Sequence, residues 1–380
     1  MTAPSGPAAA SVSPPPVFTV ETAGPRLSAA ERTARSADAG FGTAFTEHMV
    51  TARWSAERGW HDGRVLPYGS LPMDPATVGL HYGQVVFEGL KAYRGHDGRI
   101  GVFRPHAHAE RFAASAGRLV IPELPVSTFV SAVEALLDAD ADWVPGEPGR
   151  SLYLRPLLYA SEPRLALRPA TEYGFLLLAF VTEGFFGGTV RPVDVWVSEE
   201  YVRAYPGGTG AVKFAGNYAP SYAAQAQAEA HGCRQVVWLD ATERRWVEEL
   251  GGMNVFFVYG EGADARLVTP PVSGTILPGI TRGSLLTLAG ELGLAVAEER
   301  ISVDRWREDC ASGAITEVFA CGTAAHLSPV GRVRSAGGEF RVGTGETGRV
   351  TAELADRLTR IHRGHGPDPH GWLHVLDRPV

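Results

Sequence analysis

Lysine and asparagine are almost missing from this 380-residue sequence. Of its 35 basic side chains all but Lys91 and Lys213 are arginine, and its asparagines are Asn217 and Asn254. A mutational bias toward arginine, alanine and glycine accounts for the scarcity, yet a chemical constraint remains. Arginine stays protonated and makes no Schiff base, whereas a desolvated lysine amine can lose its proton and act as a nucleophile. Chemistry that needs an amine has two residues to draw on.

Cysteine is also sparse. Cys233, Cys310 and Cys321 show no C-x-x-C spacing, which excludes a disulfide scaffold and a structural zinc site and suits a reducing compartment. The opening MTAPSGPAAASVSPPP has neither a basic region nor an apolar core of a secretory signal. The longest apolar stretch, residues 173–181, falls far short of the roughly 18 residues of a spanning helix. A cytoplasmic protein is expected. The net charge of −7, with a sequence pI near 6.0, argues against a nucleic-acid or anionic-membrane partner.

What is present is a globular composition, 44% hydrophobic and 20% charged, at a length that implies about two domains. Residues 1–40 are rich in Ala, Ser and Pro and read as a poorly ordered arm. Residues 41–183 mix short strands with helices, Pro105 opening one helix and STFVSAVEALLDADADWV forming another. SLYLRPLLYA and YGFLLLAFV read as buried strands. GFFGGTVRP, residues 184–192, is the expected linker, and 193–380 the larger second domain. Helices follow groups of strands irregularly, so the expected class is α+β rather than a doubly wound parallel sheet.

Four segments carry chemistry. Lys213 lies in GGTGAVKFAGNY, a glycine-rich approach, a short apolar strand and a turn, where desolvation would free its amine; the plainer reading is a surface lysine at a strand edge. WVEELGGMNVFF sets two carboxylates before a Gly-Gly turn, suiting a buried acid against the ring nitrogen of a pyridine-type cofactor, or else a solvated hairpin end. ILPGITRGSLL puts Ile280 and Thr281 at a helix start, an anion cradle or an ordinary cap. FACGTAAHLSPV breaks a strand at Gly322-Thr323-Ala324, where a ligand can approach the backbone or a hairpin can turn. Gly343 to Gly348 also fits G-x-G-x-x-G, but no convincing parallel strand follows it. The histidines at 362, 365, 370 and 374 read as surface residues, and no metal is expected.

With the blocks FGTAFTEHMV, LHYGQVVFEGLKAYR, FRPHAHAERF, SLYLRPLLYASEP, YVRAYPGGTGAVKFAGNY and VEELGGMN, these motifs give a chain that resembles the branched-chain amino acid aminotransferases, which are fold-type IV pyridoxal-phosphate enzymes. The resemblance implies a two-domain α+β fold, a small N-terminal α/β domain and a larger C-terminal one with the cofactor, pyridoxal 5'-phosphate, between them, in a homodimer. It implies reversible ping-pong transamination of leucine, isoleucine and valine with 2-oxoglutarate. Lys213 matches the lysine that bonds covalently to the cofactor, Glu249 the partner of the ring nitrogen and Tyr218 that of the 3-hydroxyl. Arg111, Ile280, Thr281 and Thr323 match the phosphate cup. Tyr82, Phe87, Tyr153, Arg155, Gly252 and Ala324 match the substrate pocket, with Leu165 and Leu167 on a loop given by the partner subunit. Lys91 falls near the pocket mouth, in a structural or a functional role. Gly252 stands where some relatives carry threonine, GTAAHLSP lacks the C-x-x-C switch of certain animal members, and Leu167 is bulkier than the valine of some relatives. A D-amino acid aminotransferase or aminodeoxychorismate lyase is the alternative within the fold type; a non-catalytic cofactor carrier or an NAD-binding dehydrogenase lies outside it.

Overall fold

Long runs of β-branched and aromatic residues between turn signals build a first sheet in the N-terminal half of the computed structural model, which describes residues 16–21, 24, 26–37, 40–183 and 191–377. The strands are β1 (Thr19–Val20), β2 (His48–Ser55), β3 (Gly59–Pro67), β4 (Val85–Phe87), β5 (Leu90–Arg94), β6 (Ile100–Phe103), β7 (Ser151–Ala160) and β8 (Glu172–Thr182). The helices are α1 (Ala29–Ser36), α2 (Val78–Tyr82), α3 (Pro105–Arg118) and α4 (Val126–Ala139). Their sheet runs β1-β3-β2-β8-β7-β5-β6, with β4 alongside β7.

The axis of this half is the antiparallel β7–β8 ribbon, in register from Ser151↔Thr182 to Ala160↔Tyr173. Strand alternation sends Leu152, Leu154 and Leu158 into a core shared with Phe112 of α3, Phe129 and Leu136 of α4, and Phe175 and Leu177. It sends Tyr153, Arg155 and Leu157 to the opposite face. The helices thus cover one side of the ribbon and leave the other for a ligand.

The second half supplies β9 (Val193–Val197), α5 (Ser221–Ala230), β10 (Gln235–Leu239), β11 (Val247–Leu250), β12 (Asn254–Tyr259), β13 (Arg266–Thr269), α6 (Ile280–Glu291), β14 (Ala295–Glu298), α7 (Val303–Ala311), β15 (Ile315–Gly322), β16 (His326–Ser335), β17 (Gly338–Arg341) and α8 (Arg349–His362). Its sheet runs β11-β10-β9-β16-β15-β12-β13-β14, with β17 beside β16. Only β9–β10, β9–β16 and β13–β14 are parallel within it, so the class is α+β with two mixed sheets.

Three readings change, one of them that of His362, expected at the surface and buried here at the end of α8. Within the segment expected to be a poorly ordered arm, β1 pairs with β3, and α1 opens on a capping box between Ser28 and Glu31. AAERTARS has too few apolar residues for a periodicity argument, and the Ser-x-x-Glu spacing was the readable signal. Residues 1–15, and 184–190 of the expected linker, lie outside the described residues. The last strand, β18 (Leu373–Val375), does not belong to the C-terminal domain's sheet: it pairs antiparallel with β6 and completes the first sheet. Strand β18 also leaves Gly343–Gly348 without a parallel successor. The N-terminus of α8 is filled by the protein's own carboxylate, as Glu317 accepts from Val350 N, Thr351 N and Thr351 Oγ1.

The halves meet in a core of Tyr93 and Phe103 with Phe256, Leu285, Phe319, Leu354 and Trp372. Arg363, just past α8, fastens them: its two terminal nitrogens donate to the carbonyls of Arg94, Gly146, Glu147 and Arg150, all in the first half. Replacing it with leucine strands buried acceptors, and Arg363→Leu is expected to lower unfolding free energy by about 2–4 kcal/mol in urea titration. Arg363→Lys should recover only part, because an ammonium cannot span the same four carbonyls.

Candidate active site

Between the two sheets lies a cavity of about 910 Å³. The uncovered face of the ribbon forms one wall, where Tyr153, Arg155 and Leu157 of β7 stand beside Leu178 and Leu176 of β8, joined by Phe87 and Phe41. Four segments of the second half close it: the Lys213 loop, the β11–β12 turn, the start of α6 and the β15–β16 turn.

Lys213 is not in a strand. One isolated bridge, Val86↔Phe214, and a 3-10 turn at Ala215–Asn217 hold an irregular segment in which Lys213 is half-buried. Its amide donates to Ser115 Oγ at 3.1 Å, and its carbonyl accepts from Phe87 N–H at 3.1 Å. Asn217 staples the loop: Nδ2 donates to the carbonyls of Thr209 and Val212, and Oδ1 accepts from Thr209 Oγ1. The Lys213 ammonium stands 5.2 Å from the Phe87 ring centroid, and Tyr218 meets that ring edge-on at 4.9 Å.

Across the cavity, Glu249 is 2% exposed at the end of β11. Oε1 accepts from Leu277 N at 2.9 Å and Asn254 Nδ2 at 3.2 Å, and Oε2 pairs with Arg203 Nε at 2.6 Å. Burial pushes the carboxyl up to about 7, against the pull of Arg203, the Leu277 amide and Lys213. Glu248 points elsewhere, accepting from Thr275 Oγ1. Arg203 escapes a reading by motif. It sits ten residues before Lys213 in a loop without periodicity, and only the fold brings it to Glu249.

An anion-receptive end lies at the start of α6. The cap residue Gly279 offers no side chain, and a Cβ there would lie 2.0 Å from Asn254 Oδ1. The first-turn amides at Ile280 and Thr281, both on the cavity wall, are therefore open to a ligand. Arg111 reaches the same end, yet its fork is committed within the protein: Nε and Nη2 donate to the fully buried Glu88 at 2.6 and 3.0 Å. Nη1 donates to the Pro278 carbonyl, so only its remaining N–H groups can meet an anion. Burial alone would raise the Glu88 carboxyl, but Arg111 and then His108 outweigh it and hold it well below the usual carboxylate range.

The turn Thr323–Ala325 joins β15 to β16, and among the described residues its three amides make no hydrogen bond within the protein. All three residues line the cavity. Phe87, Tyr153, Arg155 and Gly252 line it too, whereas Tyr82, Leu165 and Leu167 do not, being exposed on this chain's surface. Among the described residues, the buried Arg155 Nε lacks a hydrogen-bond partner in this largely apolar wall. The guanidinium lies 4.8 Å from the Phe87 ring centroid and 5.5 Å from that of Tyr153.

This cavity brings together an amine, a buried carboxylate, a helix-end anion cradle and a turn of unbonded amides, and the sequence around it, residues 85–333, matches a family model, amino-transferase class IV. The chain belongs to the class IV aminotransferases. It is 55% identical over 357 residues, 94% of this chain and 97% of the relative, to the branched-chain-amino-acid aminotransferase of Mycobacterium tuberculosis H37Rv. Its structure is similar to that of the Escherichia coli branched-chain amino acid aminotransferase, with a TM-score of 0.70 and 28% identity, covering 86% of this chain and 98% of the other. The branched-chain aminotransferase of the thermophilic archaeon Thermoproteus uzoniensis, solved with norvaline, aligns with a TM-score of 0.70 and 27% identity, over 86% and 99%. In this class IV aminotransferase the adjacent glycines after Glu249 make different demands. Gly251 has φ +59°, and a Cβ there would lie 1.9 Å from Gln235 Oε1, whereas a Cβ at Gly252 would meet nothing nearer than Tyr218 Cε1 at 3.9 Å. Gly251→Ala is expected to lose about 1–3 kcal/mol of stability, and Gly252→Ala to stay within about 1 kcal/mol of the parent in thermal melts. Gly252→Thr should fold but slow turnover of the bulkier substrates.

Proposed function

We propose that this chain is a pyridoxal-phosphate-dependent aminotransferase that moves the amino group of leucine, isoleucine or valine onto 2-oxoglutarate. The observation that carries the reading is Arg155, a guanidinium with a buried, unpartnered Nε set in the apolar ribbon wall. A pocket that alternates between a branched alkyl chain and a γ-carboxylate needs one cation in a greasy surface. Relatives named for that substrate class support it at 55% identity.

The residues fit the cofactor. A phosphate suits the open amides of Ile280 and Thr281, the Thr323 hydroxyl and the outer N–H groups of Arg111; a ring nitrogen suits Glu249, and a ring hydroxyl Tyr218. When bound, pyridoxal phosphate supplies an electron sink for the pair left at the substrate Cα. Lys213, the one lysine on the cavity wall, holds the cofactor and then, as a free amine, takes the Cα proton and returns it to the acceptor carbon. One tethered group doing both jobs needs the Asn217 staple, which fixes the loop's path at two carbonyls. Glu249, held by Arg203, Asn254 and the Leu277 amide, keeps a proton at the ring nitrogen. The free amides of Thr323–Ala325 receive the substrate's α-carboxylate.

Two further parts rest on the resemblance. Tyr82, Leu165 and Leu167 complete the pocket in a homodimer, with the loop of one copy reaching the other's cavity; Leu167 is 90% exposed on the single chain. A cytoplasmic location is inferred, and no described helix is long and apolar enough to cross a membrane.

Absorbance tests the chemistry. The cofactor-loaded parent should show a visible band that L-isoleucine bleaches and D-leucine leaves intact, and Lys213→Ala should lose the band together with on the order of 10³-fold or more in turnover. Full turnover by the variant would overturn the proposal. Arg155→Leu separates the two substrates: kcat/KM for 2-oxoglutarate should fall roughly 100-fold, while the leucine half-reaction changes by no more than about threefold. Equal losses would sink the role of Arg155.

A further inference from the structure

Lys91, on β5, is the lysine that this mechanism leaves unused. It is 6% exposed and lines not the main cavity but a void of about 10 Å³ beside the β15–β16 turn. That void is lined by Tyr93, His108, Thr323, His326 and His362. The single acceptor of the Lys91 Nζ among the described residues is the carbonyl of Ala324, at 3.2 Å. The turn is pinned from the same side a second time. His326, at the start of β16, has φ +61°, an uncommon conformation for a side chain of its size. Its Nε2 lies 3.1 Å from Thr359 Oγ1 and 3.3 Å from the Ala355 carbonyl of α8.

A three-residue hairpin turn is commonly followed by a residue in the left-handed conformation, as His326 follows this one. Here the Ala324 carbonyl accepts from a buried cation, while the three amides, on residues that line the main cavity, make no hydrogen bond among the described residues. Drawing electron density from the Ala324 carbonyl also strengthens the donor on the same peptide unit, the amide of Ala325. We propose that Lys91 is a positioning residue whose positive charge holds the Thr323–Ala325 turn from behind, and so keeps its amides presented to the carboxylate of the substrate. This rests on the reading that the turn receives that carboxylate.

The charge makes the arrangement sensitive to pH. Burial lowers the Lys91 ammonium to about 8, so the cation is lost as pH rises through that value. The groups facing it do not change there. Burial holds His326, with Lys91 adding repulsion, at about 4, and holds His362 well below its usual value. Burial lowers His108 as well, and raises the Tyr93 phenol despite Arg363. A neutral amine still donates to Ala324, but without charge assistance the bond weakens.

The test is calorimetric binding of 4-methylvaleric acid to the cofactor-loaded enzyme, with the uncharged amide of the same acid as control. Parent affinity for the acid should fall roughly tenfold as pH rises from about 7 to about 9, while the amide's stays level. Lys91→Arg, a cation throughout, should remove the fall; Lys91→Met should bind the acid roughly tenfold more weakly at both pH values with the amide unchanged. In turnover, Lys91→Met should raise KM for the amino acid more than it lowers kcat. A parent that does not bind the acid at all defeats the underlying reading of the turn. A parent that binds it, with both variants following the parent's pH course, defeats the role of Lys91 alone. If acid and amide weaken together in Lys91→Met, its role is structural packing and the proposal fails.

Discussion

The buried fork between Glu88 and Arg111 is the tie on which the rest of the site depends. Glu88 is fully buried, and its backbone amide donates to Pro156 of β7, fixing it against the ribbon. Its carboxylate takes two N–H groups of Arg111 and faces His108, both on α3. Arg111 in turn donates to Pro278 at the entry to α6. The neighbouring Phe87 gives its amide to the Lys213 carbonyl. One ion pair thus connects the ribbon, the helix layer, the anion cradle and the lysine loop. Its desolvation is costly and is offset only while both partners are present, so truncating either leaves a bare charge inside the protein.

The second buried pair, Glu249 with Arg203, follows the same rule in a different setting. Arg203 also donates to the carbonyls of Gly210 and Thr275, so one guanidinium holds the carboxylate and spans from the Lys213 loop to the segment that enters α6. Glu249 and the loop that carries Lys213 are therefore fixed to one another through Arg203. Burial that pushes Glu249 upward is opposed by Arg203, the Leu277 amide and Lys213, which favour its anion, and the result is a carboxyl near 7.

Much of this was legible in the chain. Tyr153, Arg155 and Leu157 share a face because strands alternate, and Glu249 precedes a Gly-Gly turn because the hairpin must reverse beside the core. Ile280 and Thr281 open a helix whose cap carries no side chain. What stayed hidden depends on long-range pairing. Arg203 and Glu88 are ordinary charged residues until the fold brings each to a partner 46 and 23 positions away. The apolar neighbours of Lys213 suggested a strand, but Gly208, Gly210 and the Asn217 staple hold the loop off any ladder beyond one bridge. Tyr82, Leu165 and Leu167, which the resemblance places in the pocket, are exposed on the single chain and do not line its cavity. The place of residues 373–375, expected within the 193–380 domain, was hidden because three residues after a Gly- and Pro-rich loop carry no information about which sheet has a free edge.

The contacts explain why the rare asparagines stand where they do. Asn217 must donate twice and accept once, to carbonyls and a hydroxyl. Aspartate offers no such donors. Asn254 donates to Glu249 and to the Leu277 carbonyl in the same interior. A charged acid there would confront Glu249 across a distance at which like charges cannot both stay ionised without large cost. Each asparagine therefore occupies a place where a neutral donor is required. A bias in base composition thins such residues wherever a substitute works. The two asparagines remain where the donors they supply have no substitute.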